Sequence, residues 1–249
     1  MTHQKNTLSA VIFDMDGVIF DSERLSRDIW RQTAAESGFE LSDEIYGRLI
    51  GRSADDTKEC LRRIYGPRFP LDACIARAHS LFHRRVAEGC LAVKEGLWEI
   101  LDFLEALPLP KAVATSTSSP TALFMLRRTG LDSRFDAIVT GDLVPRGKPA
   151  PDIFLEAARR LGAAPRTCIV LEDSPAGLRG AAAAGMKPFF LLDLVPLAPA
   201  DQHLPAVSAL SLNEAREHIQ NLIENSGAAI PFHVIAEEGE ESPVQCNRS

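Results

Sequence analysis

The sequence predicts a doubly wound α/β fold, a parallel sheet with helices on both faces. Three observations predict it. Short apolar runs recur at residues 8–13, 112–114, 137–139, 168–171 and 189–192. Helical patterns separate them, at 98–107, 121–128, 152–161 and 175–184. Acidic or hydroxyl-rich clusters follow the ends of several runs, where such sheets bind ligands.

The first run, LSAVIF, stops at Asp14-Met15-Asp16-Gly17, as a buried strand feeding a loop does. No strand pattern follows between residues 22 and 89. That stretch carries amphipathic helical segments at 25–36, 55–65 and 71–86, broken at Gly38, Gly51, Gly66-Pro67 and Gly89. Residues 1–21 and 90–226 are therefore expected to form the α/β core. Residues 22–89 form an inserted α-helical cap domain, and 227–249 a poorly ordered acidic tail.

With 249 residues the chain can bury a substantial core, and its 45% hydrophobic and 24% charged content is that of a globular protein. A net charge of −7 argues against nucleic acid as a partner. Part of that charge is local, in Glu237, Glu238, Glu240 and Glu241. An anionic substrate would then need a local positive centre, either a metal or particular Lys and Arg side chains. No apolar run approaches the ~20 residues that cross a bilayer, so no membrane partner is expected. The N-terminal MTHQKNTLSA lacks the basic start and apolar stretch of a secretory signal. Cys60, Cys74, Cys90, Cys168 and Cys246 form no CxxC pair and read as reduced thiols of a cytoplasmic protein. A monomer or weak dimer is expected.

Asp14 and Asp16 flank one residue at a strand end. Carboxylates that close repel unless a cation lies between them or one keeps a proton, and Mg²⁺ suits such oxygen ligands. The same four letters, DxDG, also suit a capped turn. Glu172-Asp173 stands after another strand and before Ser174-Pro175, which fit the N-cap and first turn of a helix. Acidity there favours the helix dipole, yet two acidic pairs at two strand ends can also converge on one ion. Thr115-Ser116-Thr117-Ser118-Ser119 follows the strand near 111–114, where hydroxyls and N–H groups can cradle a phosphate or simply cap a helix. Lys148, held between Gly147 and Pro149, reads either as a solvated charge or as a fixed cation aimed inward.

In this order the four pieces resemble the haloacid dehalogenase (HAD) superfamily. The wording DMDGVIFDSE, VATSTSS, GKPAPDIF and LEDSPAG resembles its branch of beta-phosphoglucomutase and sugar-phosphate phosphatases. The resemblance implies a Rossmann-like core and a Mg²⁺-dependent phosphatase of a small phosphorylated metabolite, such as a sugar or polyol phosphate. It assigns Asp14 as the nucleophile that becomes an aspartyl-phosphate, and Asp16 as the acid and base. Mg²⁺ would be held by Asp14, the Asp16 carbonyl, Glu172 and Asp173. Thr115, Ser116 and Lys148 would bind the phosphate, and Gly51-Arg52-Ser53 of the cap would read the substrate.

Dehalogenases of the superfamily lack the second acid, which Asp16 supplies here. Phosphonate-cleaving members carry a cap lysine where Ala54 stands. The alternative is a sugar-phosphate mutase. Beta-phosphoglucomutase has a cap His and a cap Arg at the positions of Ser26 and Ala54, which favours the phosphatase.

Overall fold

The apolar runs become strands because their residues are buried on both sides. β1 (Ala10–Phe13), β2 (Lys111–Thr115) and β4 (Cys168–Glu172) are buried along their whole length. The structure is a computed structural model that describes residues 8–49, 54–107, 109–193, 197, 199–204 and 206–225, with the backbone alone for 54–56. With β3 (Ala137–Thr140), β5 (Lys187–Leu191) and β6 (Val207–Ala209) these strands form one parallel six-stranded sheet in the order β3-β2-β1-β4-β5-β6. The doubly wound parallel fold is therefore present. From β1 the chain winds outward through β2 and β3, then crosses to β4 on the other side of β1. The reversal opens a crevice at the carboxyl ends of β1 and β4.

Successive side chains of a strand face opposite ways, so each strand feeds two cores. Val11 and Phe13 pack with Val113, Leu171 and Phe189 beneath α5 (Leu97–Ala106), α6 (Ser119–Arg128) and α9 (Leu212–Glu224). Ala10 and Ile12 face the other way, with Ala112, Ala114 and Val170, against α7 (Asp152–Leu161) and α8 (Pro175–Ala183). Each fully buried Phe, such as Phe13 or Phe189, stabilises the fold by roughly 1.5–3 kcal/mol.

Between β1 and β2 the described chain is helical before α5: α1 (Ser22–Glu36), α2 (Asp43–Gly47), α3 (Ala54–Tyr65) and α4 (Leu71–Ala87). These helices enclose a core of their own, including Ala34, Leu41, Tyr46, Leu61 and Cys74. Phe39, Tyr65 and Phe69 pack ring on ring beside it, at 5.0 Å for Phe39–Phe69 and 4.6 Å for Tyr65–Phe69. The two segments that join the insert to the sheet run together. Asp21 N–H donates to the Ala92 carbonyl and Lys94 N–H to that of Ile19, both at 2.9 Å, beside an antiparallel bridge of Phe20 and Val93. Among the described residues no helix is long and apolar enough to cross a membrane.

Several elements differ from the sequence reading, among them α9, which it did not include. β5 starts at Lys187 rather than 189, although Pro188 cannot donate to a ladder. β6 pairs β5 only from Phe189 onward, so Pro188 lies before the two-sided part of the strand. β6 itself has three residues, too short for a periodic signal. α2 is one turn capped by the Ser42 side chain, which accepts from Ile45 N–H at 3.3 Å.

Candidate active site

Asp14 is the first residue past β1, and its N–H still donates to the Leu171 carbonyl at 2.9 Å. The carboxylate is thereby fixed at the crevice between β1 and β4, where it is buried. Gly17 closes the turn with a φ of +79°, and its N–H donates to the Phe20 carbonyl at 2.9 Å. A Cβ at Gly17 would overlap the Asp173 carboxylate, so both the dihedral and the space demand glycine.

β4 delivers Glu172 and Asp173 to the opposite wall. Glu172 has no exposed surface, and its Oε2 accepts from Ser174 N–H and Ser174 Oγ, each at 2.9 Å. Its Oε1 accepts from Lys148 Nζ, which also donates to Asp14 Oδ1 at 2.6 Å. The Lys148 side chain is 5% exposed and stands 5.1 Å over the Phe154 ring, a cation–π contact. Lys148 is therefore the inward cation and not a surface charge. Gly177 makes room in the first turn of α8, since a Cβ there would overlap the Glu172 carboxylate.

This crowding sets the titration of the site. Burial pushes the Asp14 carboxyl up to about 7, and Glu172 and Asp16 add to the rise against the pull of Lys148. Asp173 is raised well above the ordinary carboxylate range by burial, Glu172, Asp14 and Asp193. Burial alone would lower Lys148, but Asp14 and Glu172 outweigh it and raise the ammonium above its usual range. Oxygens of Asp14, Glu172 and Asp173 lie within 4.8 Å of one another. An all-carboxylate donor set in which Asp14 and Asp173 resist ionisation fits a hard divalent cation such as Mg²⁺.

Asp16 faces the same crevice from the turn. Its Oδ1 accepts from Ser22 Oγ at 2.7 Å, and its Oδ2 from Thr117 Oγ1 at 2.8 Å and more distantly from Thr115 Oγ1 at 3.5 Å. Thr115 ends β2, buried, and its Oγ1 accepts the Thr117 N–H at 3.0 Å. Ser116 is exposed in the same loop, with its carbonyl against Gly141. The structure thus brings together Asp14, Asp16, Thr115, Lys148, Glu172 and Asp173, while Ser116 follows Thr115 in the chain with its side chain exposed. Gly51, Arg52 and Ser53 lie outside the described residues. Thr117 and Ser22 are contacts the sequence reading missed. A run of five hydroxyls does not show which one turns inward, and Ser22 reads as an ordinary helix start.

Fold and site together define a doubly wound α/β enzyme whose centre is a buried carboxylate cluster countered by one lysine. The chain belongs to the haloacid dehalogenase-like hydrolases, whose family model matches residues 8–185. It is 34% identical over 180 residues to a phosphorylated carbohydrates phosphatase of Thermotoga maritima, covering 72% of this chain and 83% of that one. It is also 34% identical over 189 residues to the fructose-1-phosphate phosphatase YqaB of Escherichia coli K12, covering 72% and 93%. Among solved structures it resembles a Thermotoga maritima chain provisionally assigned as a beta-phosphoglucomutase. The two share 31% identity and a TM-score of 0.72, over 87% of this chain and 99% of that one.

Proposed function

We propose that this enzyme is a Mg²⁺-dependent phosphatase of a small sugar or polyol phosphate, working through an aspartyl-phosphate on Asp14. The observation that carries the reading is the buried Asp14 carboxylate, 2.6 Å from the Lys148 ammonium and grouped with Glu172 and Asp173. An Asp14 oxygen attacks phosphorus and the ester P–O bond breaks. Asp16, held by Ser22 and Thr117, gives its proton to the leaving oxygen. Asp16 then takes a proton from water, which attacks the phosphoryl group and frees both inorganic phosphate and Asp14. Lys148, Thr115 and the Ser116 N–H hold the phosphoryl oxygens. Mg²⁺ held by Asp14, Glu172, Asp173 and the Asp16 carbonyl would supply the positive charge that offsets repulsion between carboxylate and phosphate.

Residues 22–89 act in this reading as a cap that excludes bulk water, with Gly51, Arg52 and Ser53 reading the substrate. The relatives' names, phosphorylated carbohydrates and fructose 1-phosphate, support the substrate class. Free thiols at Cys60, Cys74, Cys90 and Cys168 suit a reducing cytoplasm. The test is release of inorganic phosphate from fructose 1-phosphate and a panel of sugar and hexitol phosphates, with Mg²⁺ or with EDTA. Turnover that needs Mg²⁺ and vanishes in Asp14→Asn is expected. Unchanged turnover in Asp14→Asn would overturn the mechanism, and conversion of a hexose 1-phosphate to its 6-phosphate would favour a mutase.

A further inference from the structure

Asp193 lies two residues beyond β5, with a side chain 5% exposed. Its two oxygens have different surroundings. Oδ1 accepts from Lys94 Nζ at 2.6 Å and lies 3.9 Å from Arg24, which is itself paired with Asp21 at 2.7 Å. Lys94 stands on one of the two segments that join the helical insert to the sheet, and Arg24 in the first turn of α1, just past the other, so this oxygen faces both sides of the junction. Oδ2 is buried and, among the described residues, has no hydrogen-bond partner. It lies 3.3 Å from the point where a Cβ on Gly17 would stand, a point the Asp173 carboxylate also crowds.

A buried carboxylate oxygen without a donor is costly, and such groups are rare in native proteins. The N–H of neighbouring Gly17 is already committed to the Phe20 carbonyl. Among the described residues no donor reaches Oδ2, and the acidic cluster of Asp14, Glu172 and Asp173 lies next to it. We propose that Asp193 is a positioning residue for the divalent cation, its Oδ2 accepting a hydrogen bond from a water on the ion while Oδ1 stays anchored to Lys94. The inference rests on the cation site proposed above. It adds a fourth acidic side chain, from beyond a third strand of the sheet, which links cation binding to the crossings of the insert.

The test is a titration of the purified full-length chain with Mn²⁺, read by the EPR signal of the free ion and followed by competition with Mg²⁺. Asp193→Asn keeps the shape and is expected to weaken Mn²⁺ binding roughly 10–100-fold, as loss of an outer-shell partner does. Lys94→Met removes the anchoring ion pair but keeps the carboxylate, and is expected to bind Mn²⁺ as tightly as the wild type or more so. If circular dichroism shows Asp193→Asn unfolded, Asp193→Ser replaces it. Wild-type affinity in the Asp193 variant, or equal weakening in both variants, would overturn the role of Asp193 alone. A wild type that binds no Mn²⁺ would overturn the cation site as well.

Discussion

Replacing Asp14 by Asn removes the proposed nucleophile, and the structure implies that it also stabilises the metal-free protein. In the folded chain burial holds the Asp14 carboxyl at about 7, against 3.8 for an ordinary aspartate. The folded state therefore keeps a proton that the unfolded chain has released, and stability falls as pH rises from about 4 to about 7. At 1.36 kcal/mol per pK unit, this amounts to about 4 kcal/mol once pH is above 7. An amide resembles the neutral carboxyl and escapes that penalty. The attraction to Lys148 is already contained in the shifted value. In EDTA at pH 8, Asp14→Asn should exceed the wild type by about 2–4 kcal/mol in urea unfolding, a midpoint shift of about 1 M or more. At pH 3 the advantage should largely vanish, because Asp14 is then mostly protonated in both states. Saturating Mg²⁺ should reverse the order, since binding to the native state adds stability that the variant lacks. A variant no more stable than the wild type at pH 8, or an advantage equal at both pH values, would refute the electrostatic account.

Three further outcomes are expected. Lys148→Met should lower kcat by roughly 10²–10³-fold, as loss of one charge-stabilising donor does, and steady-state phosphate release checks it. Thr117→Val takes away the 2.8 Å donor to Asp16, so kcat with fructose 1-phosphate should fall roughly tenfold with KM little changed. Gly177→Ala drives a methyl into the Glu172 carboxylate and should destabilise the fold by about 1–3 kcal/mol, visible in a thermal melt.

The sheet was legible because burial on both faces writes each parallel strand as an apolar run, and acids or hydroxyls mark where each run ends. Asp14 and Glu172 were read in that way, and the structure brings both into contact with Lys148. Lys148 was ambiguous in sequence, since a loop lysine carries no periodicity. Only the packing of α7 shows that it turns inward over Phe154. Thr117 was hidden among five adjacent hydroxyls, and Asp193 is one acid in a stretch without pattern. Both gain meaning from contacts across the sheet, about 100 residues away in sequence in the case of Thr117 and Asp16. Such contacts leave no local trace.

The placement of Lys148 also explains why one face of the sheet is built from small side chains. Ala10, Ala112 and Ala114 of the strands meet Ala157 of α7 and Ala181 of α8, which lets these helices approach the strands closely. Phe154 is the one aromatic ring in that layer among the described residues, and it lies directly beneath the Lys148 ammonium. The ring fits because residue 180 of α8 is glycine. A Cβ there would stand 3.0 Å from Phe154 Cε2 and 3.2 Å from the Ala150 carbonyl, pressing on both the ring and the loop that carries Lys148. Small residues on the strands, glycine in α8, Phe154 on α7 and Lys148 in the loop before it thus form one packed sequence of contacts that ends at Asp14. The lysine that counters the buried acids is held from below by the hydrophobic core, so its position depends on packing as much as on charge.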